Sequence, residues 1–129
     1  MLKSGILNPQ INSLLSRVRH TNTLVIADRG FPSWPVIEII DISLVDGIPS
    51  VLEVVRAIRV NFVVGNAWMA DEFLTNNSKQ TIDQFTAVLE GVALAHEPHC
   101  GLKRRVPNAF GLIRTGDTIP YANIILESA

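Results

Sequence analysis

The sequence is poor in the groups that usually announce a chemistry. It holds a single cysteine, Cys100, so no internal disulfide can form, and a reducing, cytoplasmic setting is expected. Neither Cys-x-x-Cys nor His-Glu-x-x-His occurs, and His96, His99 and Cys100 lack the spacing of a zinc site, so no metal is expected. The Gly-x-Ser-x-Gly elbow, the Gly-x-Gly-x-x-Gly turn and the phosphate loop are all missing, which argues against nucleophilic hydrolysis and nucleotide chemistry. Charge is scarce and balanced: 11 Lys and Arg against 12 Asp and Glu give a formal net charge of -1. Lys103-Arg104-Arg105 is too short a basic cluster to suggest nucleic acid. No signal peptide is expected at the N-terminus, and no run approaches the roughly 20 apolar residues of a membrane span.

What remains is apolar. Hydrophobic residues make up 47% of the 129 and charged residues 18%, enough to bury one core, so a single domain over residues 1–129 is expected. Mean hydropathy is positive at +0.27, high for a small monomer, and the surplus apolar surface points to a homo-oligomer.

Asn8-Pro9 reads as an N-cap and first-turn proline, and Ile11, Leu14, Leu15 and Val18 recur at helical spacing over residues 9–19. Thr23 to Ala27 is a short β-branched run, the pattern of a buried strand, ended by Asp28 and a loop with two prolines and a glycine. A strand over Val36 to Leu44, a turn at Gly47-Ile-Pro49 and a helix opened by the Ser50/Glu53 capping box follow. Phe62 to Met69 reads as a strand and Ser78 to about Leu89 as a helix stopped by Gly91. Val92 to Ala95 fits helix or strand, with strand preferred after the glycine. His99 to Arg105 suggests a short helix, and Phe110 to Arg114 and Ala122 to Leu126 two more strands. Strands alternating with helices predict an α/β sheet covered on both faces.

Chemistry-bearing residues gather at the strand ends. In Arg114-Thr-Gly-Asp-Thr-Ile-Pro-Tyr-Ala-Asn-Ile-Ile-Leu126, Tyr121 and Asn123 precede an apolar strand. A phenol and a carboxamide on a rigid support suit a polyhydroxylated small molecule. His20, between the first helix and first strand, is suited to proton exchange near neutral pH, or else satisfies helix-end carbonyls. Asp28 ends the first strand, where ligands of open α/β sheets collect, or else caps its own loop. Trp34 and Trp68 are each able to stack on a sugar ring or to fill a core or an interface.

Taken together, Arg19-His-Thr-Asn-Thr-Leu-Val-Ile-Ala-Asp28, Ile40-Asp-Ile-Ser-Leu44, Gly47-Ile-Pro49 and the Tyr121-Ala-Asn123 segment resemble the D-ribose pyranase and L-fucose mutarotase family over nearly the whole chain. The resemblance implies a three-layer α/β/α fold with a mostly parallel central sheet. It implies an isomerase that interconverts cyclic forms of a free monosaccharide without cofactor, the alternative being a non-catalytic sugar-binding or regulatory oligomer. By the resemblance His20 becomes the catalytic acid/base and Asp28, His99, Tyr121 and Asn123 the sugar-binding set; Tyr121, whose phenol is able to relay or stabilise the second proton, is the other catalytic candidate. It also implies pentameric rings paired into decamers, with sites at subunit contacts. Asp28-Arg-Gly-Phe-Pro32 departs from the family by mixing the ribose-branch Asp-Ala-Gly-Leu-Pro with the fucose-branch Asp-Ala-Asn-Phe-Pro, which bears on which sugar is taken.

Overall fold

A computed structural model describes all residues, Met1–Ala129. Helix α1 spans Pro9–Arg17, and the Asn8 side chain caps it by accepting the Ile11 N–H at 2.9 Å. It stops two residues short of the expected end because the Asn22 side chain takes the Arg19 N–H at 2.9 Å. Strand β1 is Thr23–Ala27. Strand β2 is only Glu38–Asp41, shorter than its apolar run. A turn closed by the Ile37 N–H on the Trp34 carbonyl precedes it, and Asp41 Oδ1 accepts the Ser43 N–H just after it.

Helix α2 is Val51–Asn61, opened by the reciprocal Ser50/Glu53 capping box, and β3 is Val64–Ala70. A helix that the sequence pattern does not announce, α3 (Asp71–Asn76), follows directly; its N-cap, Ala70, has no side chain able to cap it. Then come α4 (Lys79–Val88), β4 (Ala93–Glu97), α5 (His99–Arg105) with a 3₁₀ turn at Val106–Asn108, β5 (Gly111–Arg114) and β6 (Ile124–Ser128). The ambiguous stretch after Gly91 is strand. The final strand begins two residues later than its apolar pattern suggests, because Asn123 is engaged by Asp28 instead of a ladder.

The six strands form one sheet in the order β2-β5-β1-β6-β3-β4. β6 runs antiparallel to β1 and β3, and every other pairing is parallel, so the central sheet is mostly parallel. One face carries the larger core, where Leu14 of α1, Val55 and Ile58 of α2, Phe73 of α3 and Phe85 of α4 pack on Leu24, Ile26 and Ile124. The other face is covered more thinly, by Phe31, Leu102 of α5 and Val106 over Val25, Leu112 and Ile125. Strands buried on both faces explain why β1 and β6 read as continuous apolar runs rather than alternating ones. No helix is long and apolar enough to cross a membrane.

Candidate active site

Parallel strands deliver their C-terminal ends to one edge of the sheet, and the loops leaving those ends are where ligands collect in such folds. β1 ends in Asp28, β4 leads into His99 at the start of α5, and the antiparallel β6 enters from the same edge through Tyr121 and Asn123. These four side chains line one open hollow of about 350 Å³, with Gly30, Phe31, Pro32 and Lys103. That volume falls within the roughly 300–1,000 Å³ of small-ligand sites. A larger concavity of about 490 Å³ lies between the end of α4 and β4. It is lined by Asp83, Thr86, Glu90 and aliphatic groups, and offers no imidazole or phenol for proton exchange.

Asp28 and Asn123 are locked to each other. Asn123, 1% exposed, accepts the Asp28 N–H at 2.8 Å and donates its amide to Asp28 Oδ2 at 3.1 Å. Asp28 Oδ1 also accepts the Gly30 N–H at 3.0 Å, so Asp28 caps its own loop and faces the hollow as well. The carboxamide of Asn123 is therefore largely committed to holding Asp28, with one N–H and one lone pair to spare.

His99 and Tyr121 meet edge to face, ring centroids 5.1 Å apart at 80°, and Phe31 also meets His99 edge to face at 6.2 Å. The Nδ1 of His99 is buried without a hydrogen-bond partner. Burial pushes the imidazole below its ordinary value of 6.5 and Lys103 adds to this, while Glu72 and Asp28 pull the other way. The ring is thus biased toward its neutral form, able to accept or to donate a proton. Tyr121 has a left-handed backbone, φ 57°, a conformation that costs a non-glycine residue about 1–3 kcal/mol and persists only where the surroundings enforce it.

The Phe31 wall is fixed by Arg114 at the end of β5. Its Nε and Nη2 donate to the Phe31 carbonyl at 3.0 and 2.8 Å, Nη2 also reaches Ser33 Oγ at 2.8 Å, and Nη1 reaches Asp41 at 3.1 Å. Trp34 does not line the hollow; it buttresses Phe31, 5.4 Å centroid to centroid. Trp68 lies beneath the Arg105 guanidinium at 4.6 Å and is not a free stacking surface. His96 sits on β4 opposite Met69 and does not line the hollow.

His20 is elsewhere. It is exposed, in the turn closed by the Asn22 N–H on the Arg19 carbonyl at 3.0 Å, and so stands at the opposite end of β1 from Asp28. Five strand residues, roughly 17 Å at about 3.3 Å each, intervene. Its neighbour Thr21 is the other non-glycine residue with positive φ, 67°. Within one protomer His20 does not join the other four. Lys103, a lining residue that the sequence did not single out, reaches the hollow because it lies one helical turn beyond His99 on α5.

Known proteins share this chain's sequence pattern and fold. A D-ribose pyranase of Laribacter hongkongensis is 36% identical over 129 residues, 99% of this chain and 97% of its own. A D-ribose pyranase of Geobacillus kaustophilus is 40% identical over 128 residues, 99% and 93%. The structure of Bacillus subtilis RbsD complexed with D-ribose superposes with a TM-score of 0.93 at 29% identity, over 100% of this chain and 98% of that one. The fucose mutarotase of Streptococcus pneumoniae, solved with L-fucose, shares the fold at a TM-score of 0.84 and 20% identity, over 99% and 98%. With a family sequence profile matching residues 1–129, the chain belongs to the RbsD / FucU transport protein family.

Proposed function

We propose that this protein is an isomerase that interconverts the cyclic forms of a free monosaccharide, with D-ribose the first candidate because the similar proteins named above are D-ribose pyranases. The observation that carries the reading is the convergence of Asp28, His99, Tyr121 and Asn123 on one hollow. Opening a hemiacetal ring takes a proton from the anomeric hydroxyl and gives one to the ring oxygen, while the bond between the anomeric carbon and that oxygen breaks. Reclosure on the other carbonyl face changes the anomer, and reclosure through a different hydroxyl changes the ring size. A positioned acid/base group contributes about 10² to 10⁴ in rate to such a step. Asp28, Asn123 and His99 orient hydroxyls, which removes part of the entropic barrier. Tyr121 and His20 exchange the two protons.

His20 plays that part only from a neighbouring protomer, since its own hollow is a strand length away. A homo-oligomer supplies that neighbour; pentameric rings paired into a decamer are what the family resemblance implies, and the single Cys100 favours the cytoplasm. The exposed side chains of Val36, Leu44, Val45 and Ile48 supply apolar surface for such contacts. Magnetisation transfer between anomers, measured by NMR across ribose, fucose, galactose and glucose, tests the activity. His20→Ala is expected to abolish exchange without changing the oligomer. Mixed oligomers of His20→Ala and His99→Ala subunits are expected to regain part of it, because some contacts then unite an intact His20 with an intact hollow. Wild-type exchange by His20→Ala removes His20 from the mechanism, and failure of the mixture to recover places it outside the shared site.

A further inference from the structure

We propose that α3 is a positioning element for this site, with Glu72 in its first turn and Asn77 just past its end holding His99 and Tyr121 against each other. The proposal rests on the sugar-site reading of the hollow and assigns a role to two residues that do not line it. His99 and Tyr121 lie in separate segments, one opening α5 and the other in the loop before β6. Their facing geometry therefore depends on what ties those segments together. The His99 ring does not supply the tie, since its buried Nδ1 has no partner.

The ties are made to backbone, and both come from α3. The Glu72 carboxylate accepts the His99 N–H with both oxygens, at 3.1 and 3.0 Å, pinning the residue that carries the imidazole. Asn77 Nδ2 donates to the Phe73 carbonyl at 2.9 Å and to the Pro120 carbonyl at 2.9 Å, so one amide joins the end of α3 to the peptide entering Tyr121. Tyr121 is the residue whose left-handed backbone needs an external hold. The bracket itself is anchored: Phe73 is 1% exposed and packs against Phe85 with ring centroids 4.7 Å apart. Three charged groups act on the imidazole: Lys103 on its own helix, Glu72 on α3 and Asp28 at the end of β1. Of these charged side chains, it is the Glu72 carboxylate that also accepts the His99 N–H.

Glu72→Ala, Glu72→Gln and Asn77→Ala, alone and combined with His99→Ala, test the assignment in the full-length protein. Glu72→Ala and Asn77→Ala are expected to slow ribose exchange at saturating sugar by roughly 10- to 100-fold, the scale of a small misplacement. Glu72→Gln keeps one acceptor oxygen and is expected to retain most of the rate, while its lost charge moves the His99 titration further down. In the His99→Ala background, Glu72→Ala is expected to cost no further sugar affinity. Variants that lose only thermal stability, with wild-type exchange and an unchanged His99 titration, overturn the proposal, as does an affinity loss that simply adds to that of His99→Ala. If the wild type exchanges none of the sugars tried, the sugar reading fails. The proposal is then decided in ligand-free protein: a His99–Tyr121 ring NOE lost in Glu72→Ala and Asn77→Ala supports it, and one kept in both overturns it.

Discussion

At the scale of single residues, the polar groups of the hollow divide into those with free capacity and those already spent. Asn123 is mostly spent, because both ends of its amide serve Asp28 and only one N–H and one lone pair remain. Asn123→Leu keeps the shape and leaves the Asp28 N–H without its acceptor. It is expected to cost about 1–3 kcal/mol in urea unfolding, and to weaken ribose affinity measured by titration calorimetry by more than its own contact would account for. His99 has a pH signature. The folded protein binds a proton there less readily than the unfolded chain, whose value is about 6.5. Its stabilising contribution is therefore complete above that pH and is lost as pH falls through 6.5 toward the folded-state value. Unfolding free energies measured from pH 8 downward are expected to decline over that window in the wild type and less so in His99→Asn. Asp28, Tyr121 and Asn123 were legible in the sequence because each sits where a strand visibly begins or ends, whereas His99 entered only through the family resemblance. The distance between His20 and the rest was not, since strand direction, and not residue spacing, places them at opposite ends of β1.

At the scale of elements, caps decide what the sequence reveals. α1, α2 and α4 are announced by Asn8, Ser50 and Ser78, each of which accepts an N–H in the first turn of its helix. α3 starts at Ala70 with no such group, so its only local signal is the acidic pair Asp71-Glu72, and the loop-like Asn76-Asn77-Ser78 conceals it further. The capping of α2 also has a component that no local pattern contains. Asp117, 2% exposed, accepts the Val51 N–H at 2.8 Å and the Ile119 N–H at 2.7 Å, tying the loop before β6 to the start of the helix. Asp117→Ala strands one buried and one half-buried N–H group and is expected to cost about 2–4 kcal/mol, read as a lowered urea midpoint with unchanged slope. Exchange activity is expected to fall with it, because the same loop carries Tyr121.

At the scale of the whole molecule, the two faces of the sheet are unequally covered. Helices α1, α2 and α4 blanket one side, whereas α5 and the Phe31 loop shelter the other. Val36, Leu44, Val45, Val60 and Val63 remain more than half exposed. Positive hydropathy leads to the expectation of an oligomer, but does not say which surfaces would serve it. Sedimentation is expected to report a multiple of the 14.2 kDa chain, and exchange per subunit is expected to fall on dilution below the association range. Dilution-independent activity from a monomer contradicts a site completed by a neighbour.

The position of β6 has a further effect, on the order in which the protein comes into being. β2, β5 and β1 form one half of the sheet and β3 and β4 the other, and β6 is the sole strand between them. It is also the sixth to leave the ribosome. A nascent chain halted after Tyr121 owns every helix and five strands, yet lacks the strand that hydrogen-bonds its two half-sheets together, so only helix packing joins them and the β1 and β3 borders lie open to stray pairing. Such a stalled chain is expected to be digested by protease far faster than one that includes β6.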